Sequence, residues 1–106
     1  SEPVFLMRSR YSAFSMGYVD YIIKSTHRDG SQYSVDTEKW RASITRFCKD
    51  HNFTGLTIEA IDTSEEIGYV QFTANLKHGS HDRSFRERSM FRRCEAGVWK
   101  YLGASS

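Results

Sequence analysis

Hydrophobic positions recur at helical spacing in the first half of the chain and at every second residue in the rest. Over residues 4–16, wound at about 100° per residue, Leu6, Met7, Ala13, Phe14 and Gly17 fall on one side. That predicts a helix with Pro3 at its first turn and Gly17 as its stop. Tyr18, Tyr21 and Ile22 give residues 18–24 a buried side of their own and predict a second, short helix. Residues 26–34 read as a loop, with Asp29-Gly30 as its turn signal. A third helix follows over about residues 37–52, with Trp40, Ile44, Phe47, Cys48 and His51 on one stripe. Asp36 or Thr37 caps it, and Glu38 in the first turn suits the helix dipole.

The period then changes. Residues 53–62 set Leu56, Ile58 and Ala60 against Thr57, Glu59 and Ile61, and residues 68–77 set Val70, Phe72, Ala74 and Leu76 against Tyr69, Gln71, Thr73 and Asn75. Residues 63–66 and 78–82 are turns, residues 83–93 alternate again, Glu95-Ala96-Gly97 closes a hairpin, and residues 98–102 form the last strand. Helices followed by strands joined through tight turns predict a single α+β domain over residues 1–106, with three N-terminal helices packed on one face of a four-stranded antiparallel sheet.

One residue breaks this pattern. Arg10 lies in the middle of the first helix's apolar side. A guanidinium keeps its proton, so a buried one must find acceptors. The third strand suggests where. By parity, Arg83, Phe85, Glu87, Ser89, Phe91 and Arg93 share one face, and Ser84, Arg86, Arg88, Met90, Arg92 and Cys94 the other. The face carrying two phenylalanines is the better core face, which places Glu87 and Ser89 inside. An Arg10–Glu87 ion pair that sets helix-on-sheet register is therefore expected, and the same two groups could instead line a cavity and present charge to a ligand.

Composition narrows this picture only in part. The chain is 39% hydrophobic and 26% charged with a net charge of +2, too weak a field to imply nucleic acid or membrane binding. Aromatic residues reach 14%, which suits a pocket lined by rings. Cys48 and Cys94 fit no metal-ligand spacing and read as buried free thiols of a reducing compartment, so a cytoplasmic location is expected. No cofactor or metal is expected: His78, His81 and Asp82 share one turn without a fourth ligand, and no P-loop, G-x-S-x-G, H-E-x-x-H or dinucleotide fingerprint is present. His51 reads as a packed core-edge residue, and His27 as a loop histidine near a pocket mouth. Of Val98, Trp99, Tyr101 and Leu102, one alternating pair faces the core and the other could floor a groove. Arg86, Arg88 and Arg92, with Lys77 near them, form a basic stripe. It reads as a solvated sheet face or, less favoured, as an anion- or RNA-binding surface.

The segments LMRSRYSAF, DYIIKSTH, TGLTIEAIDT, GYVQFTANLKHG and RERSMFRRCEAGVWKYLG together resemble the YchJ-like family of small bacterial proteins over most of the chain. The resemblance implies a nuclear-transport-factor-2-like (cystatin-like) cone, in which a curved antiparallel sheet wraps around helices and encloses a cavity. The family motif falls on Arg8, Arg10, Tyr11, Phe14, His27, Glu87, Arg88, Ser89 and Phe91. Family members often carry a flanking zinc-binding SEC-C segment, to which nothing in this sequence corresponds. The third helix looks longer than the family's connection and is expected to cap or narrow the cone's mouth.

The reading that follows is a non-enzymatic binding or accessory module. It would hold a small polar or anionic ligand, or a peptide, at a polar centre of Arg10 and Glu87, lined by Tyr11, His27, Ser89 and Trp99. A small cone-fold isomerase or hydrolase using His27 or Glu87 for proton transfer is the alternative, and an RNA-associated protein using the arginine stripe is a third. A small ligand or a protein partner is expected, with no membrane contact and nucleic acid disfavoured. Homodimerisation through the open sheet face is common in the fold that the resemblance implies, and it stays open here.

Overall fold

The computed structural model describes residues 2–105, where three helices precede a five-stranded antiparallel sheet. Helix α1 (Pro3–Met16) has its proline in the first turn and ends on Gly17, whose φ of +73° is the left-handed cap conformation that glycine adopts without strain. Helix α2 is Val19–Lys24. Helix α3 (Thr37–Asp50) is capped by Asp36, whose carboxylate accepts from the Lys39 backbone N–H at 3.1 Å.

The strands are β1 (Asn52–Thr63), β2 (Ile67–His78), the two-residue β3 (His81–Asp82), β4 (Phe85–Arg93) and β5 (Trp99–Ser105). They run in the order β1-β2-β4-β5, with β3 paired to the end of β2. The turn expected over 78–82 is thus shorter, because His81 and Asp82 pair back with His78 and Lys77. The strand expected from residue 83 starts at Phe85, and the last strand runs beyond Leu102 to Ser105.

The even alternation expected in β1 is broken by two register shifts, between Phe53 and Gly55 and between Ile58 and Ala60. An extra residue flips the parity of everything after it. Ile61 therefore stands opposite the buried Val70, while Glu59 reaches Gln71 and Thr73 on the outer face. Such shifts bend a strand, as a sheet that wraps around helices requires.

The apolar interior falls into two clusters. Leu6 and Met7 of α1 pack on Val70, Phe72, Ala74, Leu76, Phe91, Trp99 and Tyr101 of the sheet. Ala13, Ile22 and Ile44 bring the three helices together, with Phe14, Val19, Ile23, Trp40 and Cys48 against them. At the far end of α1 the Pro3 ring lies against Gly68, where a Cβ would stand 2.5 Å from Pro3 Cγ. Only Ile44 of α3 is fully buried, so this helix lies over the open end of the cone and is not embedded in it.

Candidate functional site

Arg10 is buried, with 4% of its surface exposed, and its acceptors lie on and just after α2. Its Nη1 donates to the Ile22 carbonyl (3.1 Å), to Ser25 Oγ (2.7 Å) and to Thr26 Oγ1 (3.1 Å). A cation at a helix C-terminus meets carbonyls that have no partner within the helix. Both hydroxyls also donate to the Ile22 carbonyl, at 3.2 and 2.7 Å. The guanidinium carbon stands 4.4 Å above the Tyr101 ring and 5.9 Å from that of Phe14. Burial pushes the guanidinium down to about 10, which leaves it charged at neutral pH.

The expected ion pair with Glu87 is not formed; Tyr101 stands between the two groups. Strand parity does hold: Glu87, opposite Phe72, and Ser89, opposite Val70, face inward. Glu87 Oε2, however, accepts from Ser89 Oγ (2.5 Å) and from the Tyr101 hydroxyl (3.2 Å), and no ion pair joins it to Arg10. Burial, reinforced by the charge of Glu87, pushes the Tyr101 phenol up to about 12, so it is a hydrogen-bond donor at any physiological pH. Tyr101 is itself fixed by backbone bonds: its N–H donates to Ser25 O and its carbonyl accepts from His27 N–H, both at 2.8 Å.

These groups line a cavity of about 430 Å³ between the two apolar clusters. Arg10, Thr26, Gln32, Glu87, Ser89 and Tyr101 form its polar wall. Phe14, Phe72, Leu76 and Phe85 are apolar lining, and Trp40, Ile44 and Phe47 of α3 cover it. The site residues expected from sequence separate here. Arg10, Tyr11, Glu87 and Ser89 all line the cavity. Tyr11 offers only its ring, because its hydroxyl accepts from Gly55 N–H (2.8 Å) and donates to Asn75 O (3.1 Å), closing the gap at the first β1 register shift.

His27 and Trp99 are not among the lining residues. His27 Nδ1 accepts from the Asp29 N–H at 2.9 Å, and Trp99 is buried in the sheet cluster near Gly68. Sequence reasoning passed over Ser25 and Thr26, and it set Tyr101 beside Trp99 as core or groove floor without naming it a site residue. The signal for Tyr101 was its shared parity with Trp99, and for the other two it was a pair of hydroxyl residues directly after a short helix.

The family model for the YchJ middle NTF2-like domain matches residues 2–104. The chain belongs to this family. Within it, the domain is 38% identical to a UPF0225 protein of Pectobacterium carotovorum subsp. carotovorum (strain PC1), over 96% of this chain and 65% of that protein's length. A SEC-C motif containing protein from Rhodopseudomonas palustris, known from a solution structure, is 27% identical with a TM-score of 0.79, over 98% of this chain and 77% of that one. An LEH-like epoxide hydrolase from M. tuberculosis shares the fold, with a TM-score of 0.64 at 13% identity, over 93% of this chain and 72% of that one.

On the outer sheet face of this YchJ-type domain the basic stripe is largely engaged. Arg86 Nε lies 2.7 Å from Glu59, which also accepts from Thr73 and is held below the usual carboxylate range, first of all by Arg86. The Arg88 guanidinium lies 4.0 Å over Tyr69, while Arg92 is exposed. Among the described residues, no group of three or more His, Cys, Asp and Glu side chains converges as a metal site, and no helix is long and apolar enough to cross a membrane.

Proposed function

We propose that this domain is a binding module whose cone holds a small ligand by an anionic or acceptor group placed on Arg10. One observation carries the reading. Arg10 spends only Nη1 on the protein, and its Nε and Nη2 have no hydrogen-bond partner among the described residues. Among the described residues no side-chain nitrogen or oxygen is both sealed in and unpartnered, so these two donors keep an accessible edge on a residue that lines the cavity. A charged donor that a fold buries and leaves half unused, beside about 430 Å³ of mostly apolar wall, suits a ligand of small-molecule size. Proton-transfer chemistry in the same cavity would have to rest on Glu87, since His27 does not line it. The RNA reading is disfavoured by the engagement of Arg86 and Arg88 on their own sheet.

The test is an NMR titration of the labelled domain with 3-phenylpropionate and with the isosteric neutral amide. The carboxylate is expected to shift the resonances of Arg10, Ser25, Thr26 and Tyr101 at lower concentration than the amide does. No shift of those signals at millimolar ligand removes the reading.

A further inference from the structure

The two charged groups of the cavity are held apart, and that constrains what fits between them. Opposite charges in a partly apolar cavity attract strongly and close on each other unless something prevents it. Here both are tethered. Three acceptors on and after α2 hold Arg10 Nη1, two hydroxyls hold Glu87 Oε2, and the Tyr101 ring lies against the guanidinium while its hydroxyl reaches the carboxylate. Each group also keeps an unused edge: Nε and Nη2 on Arg10, and Oε1 on Glu87, which has no hydrogen-bond partner among the described residues.

We infer that the cavity takes a zwitterion with an apolar side chain, an α-amino acid or a close analogue, its carboxylate on Arg10 and its ammonium on Glu87. The inference rests on the ligand-binding reading above and narrows it. A simple anion on Arg10 would bring a second negative charge towards Glu87, and a simple cation on Glu87 would do the same to Arg10. A zwitterion meets both edges and leaves neither repulsion. The apolar part of the lining, with Phe14, Trp40, Phe47, Phe72 and Phe85, suits an aromatic or branched aliphatic side chain.

Calorimetric titrations of the domain with phenylalanine and leucine, their des-amino acids (3-phenylpropionate, 4-methylpentanoate) and their decarboxylated amines test this. At least one amino acid is expected to bind about tenfold more tightly than either of its halves. Glu87→Gln is expected to weaken the amino acid by about tenfold and leave the des-amino acid as tight or tighter. Should the des-amino acids bind as well as the amino acids, the zwitterion inference fails while the Arg10 reading stands. Binding by none of them, or by the amines alone, overturns both. If Glu87→Gln does not fold, the wild-type comparison of the three ligand types still decides.

Discussion

Replacing Arg10 by methionine removes the charge and keeps most of the apolar stem, and its cost can be worked from the contacts. Nη1 carries two hydrogens for three acceptors, so about two full bonds are lost at any instant, each about 1.5–3 kcal/mol for a charged donor. Stacking on Tyr101 adds up to about 2 kcal/mol in a desolvated setting. Against this, burial disfavours the charged guanidinium and holds its pKa down at about 10, a net cost of about 3 kcal/mol that methionine does not bear. The acceptors left behind are neutral, and both hydroxyls keep their bond to Ile22 O, so no charge is stranded. The net loss is about 2 kcal/mol, a fall in Tm of about 8–12 °C for a domain of this size. Removing one partner of a buried Arg10–Glu87 pair would cost an overlapping amount, about 3–5 kcal/mol, so the coupling energies decide between the two arrangements. Urea unfolding of Arg10→Met, Ser25→Ala, Glu87→Gln and the corresponding doubles separates the cases. Coupling of Arg10 to Ser25 is expected to exceed its coupling to Glu87. A larger coupling to Glu87, or a Tm change under about 3 °C for Arg10→Met, refutes the reasoning.

Tyr11→Phe leaves the Gly55 N–H and the Asn75 carbonyl without their partner, and a loss of about 1–3 kcal/mol in urea unfolding is expected, with native-state hydrogen exchange at Gly55 accelerated. Gly68→Ala drives a methyl group into the Pro3 ring and should cost about 1–3 kcal/mol; an unchanged unfolding midpoint would show that the start of α1 is not packed there. For Tyr101 the folded phenol titrates near 12 and the unfolded one near 10, so its contribution is complete below pH 10 and is lost as pH rises towards 12. The stability gap between wild type and Tyr101→Phe should therefore narrow between pH 9 and pH 11.5. A gap that widens contradicts the placement of the phenol.

Local rules made much of the fold legible. Pro3, Gly17 and Asp36 mark helix ends by backbone chemistry that needs no tertiary context, and parity alone placed Glu87 and Ser89 on the inner face of β4. The two β1 register shifts left no such mark, because an extra residue in a strand is set by pairing with β2, and the alternating pattern of residues 53–62 reads through it. The Arg10–Glu87 pairing was inferred from sign and side only. What it lacked was the position of α2, whose end returns to β5 and sets three neutral acceptors nearer to the guanidinium than any carboxylate. Trp99 and Tyr101 have the same parity, and only the strand's position against the cone decides that the first packs near Pro3 and the second reaches the cavity.

The place of Tyr101 in β5 also sets when the charged site can come into being. Arg10 is made early, its acceptors soon after and Glu87 much later, yet the ring beneath the guanidinium and the hydroxyl on Glu87 belong to the domain's final strand. The Ser25 carbonyl and the His27 N–H likewise have their backbone partner only once Tyr101 is in place. During synthesis the helices can gather before the sheet is finished, but the cavity's polar wall cannot. A ligand that needs this wall recognises only the completed domain, and by mass action it stabilises that state over every earlier one.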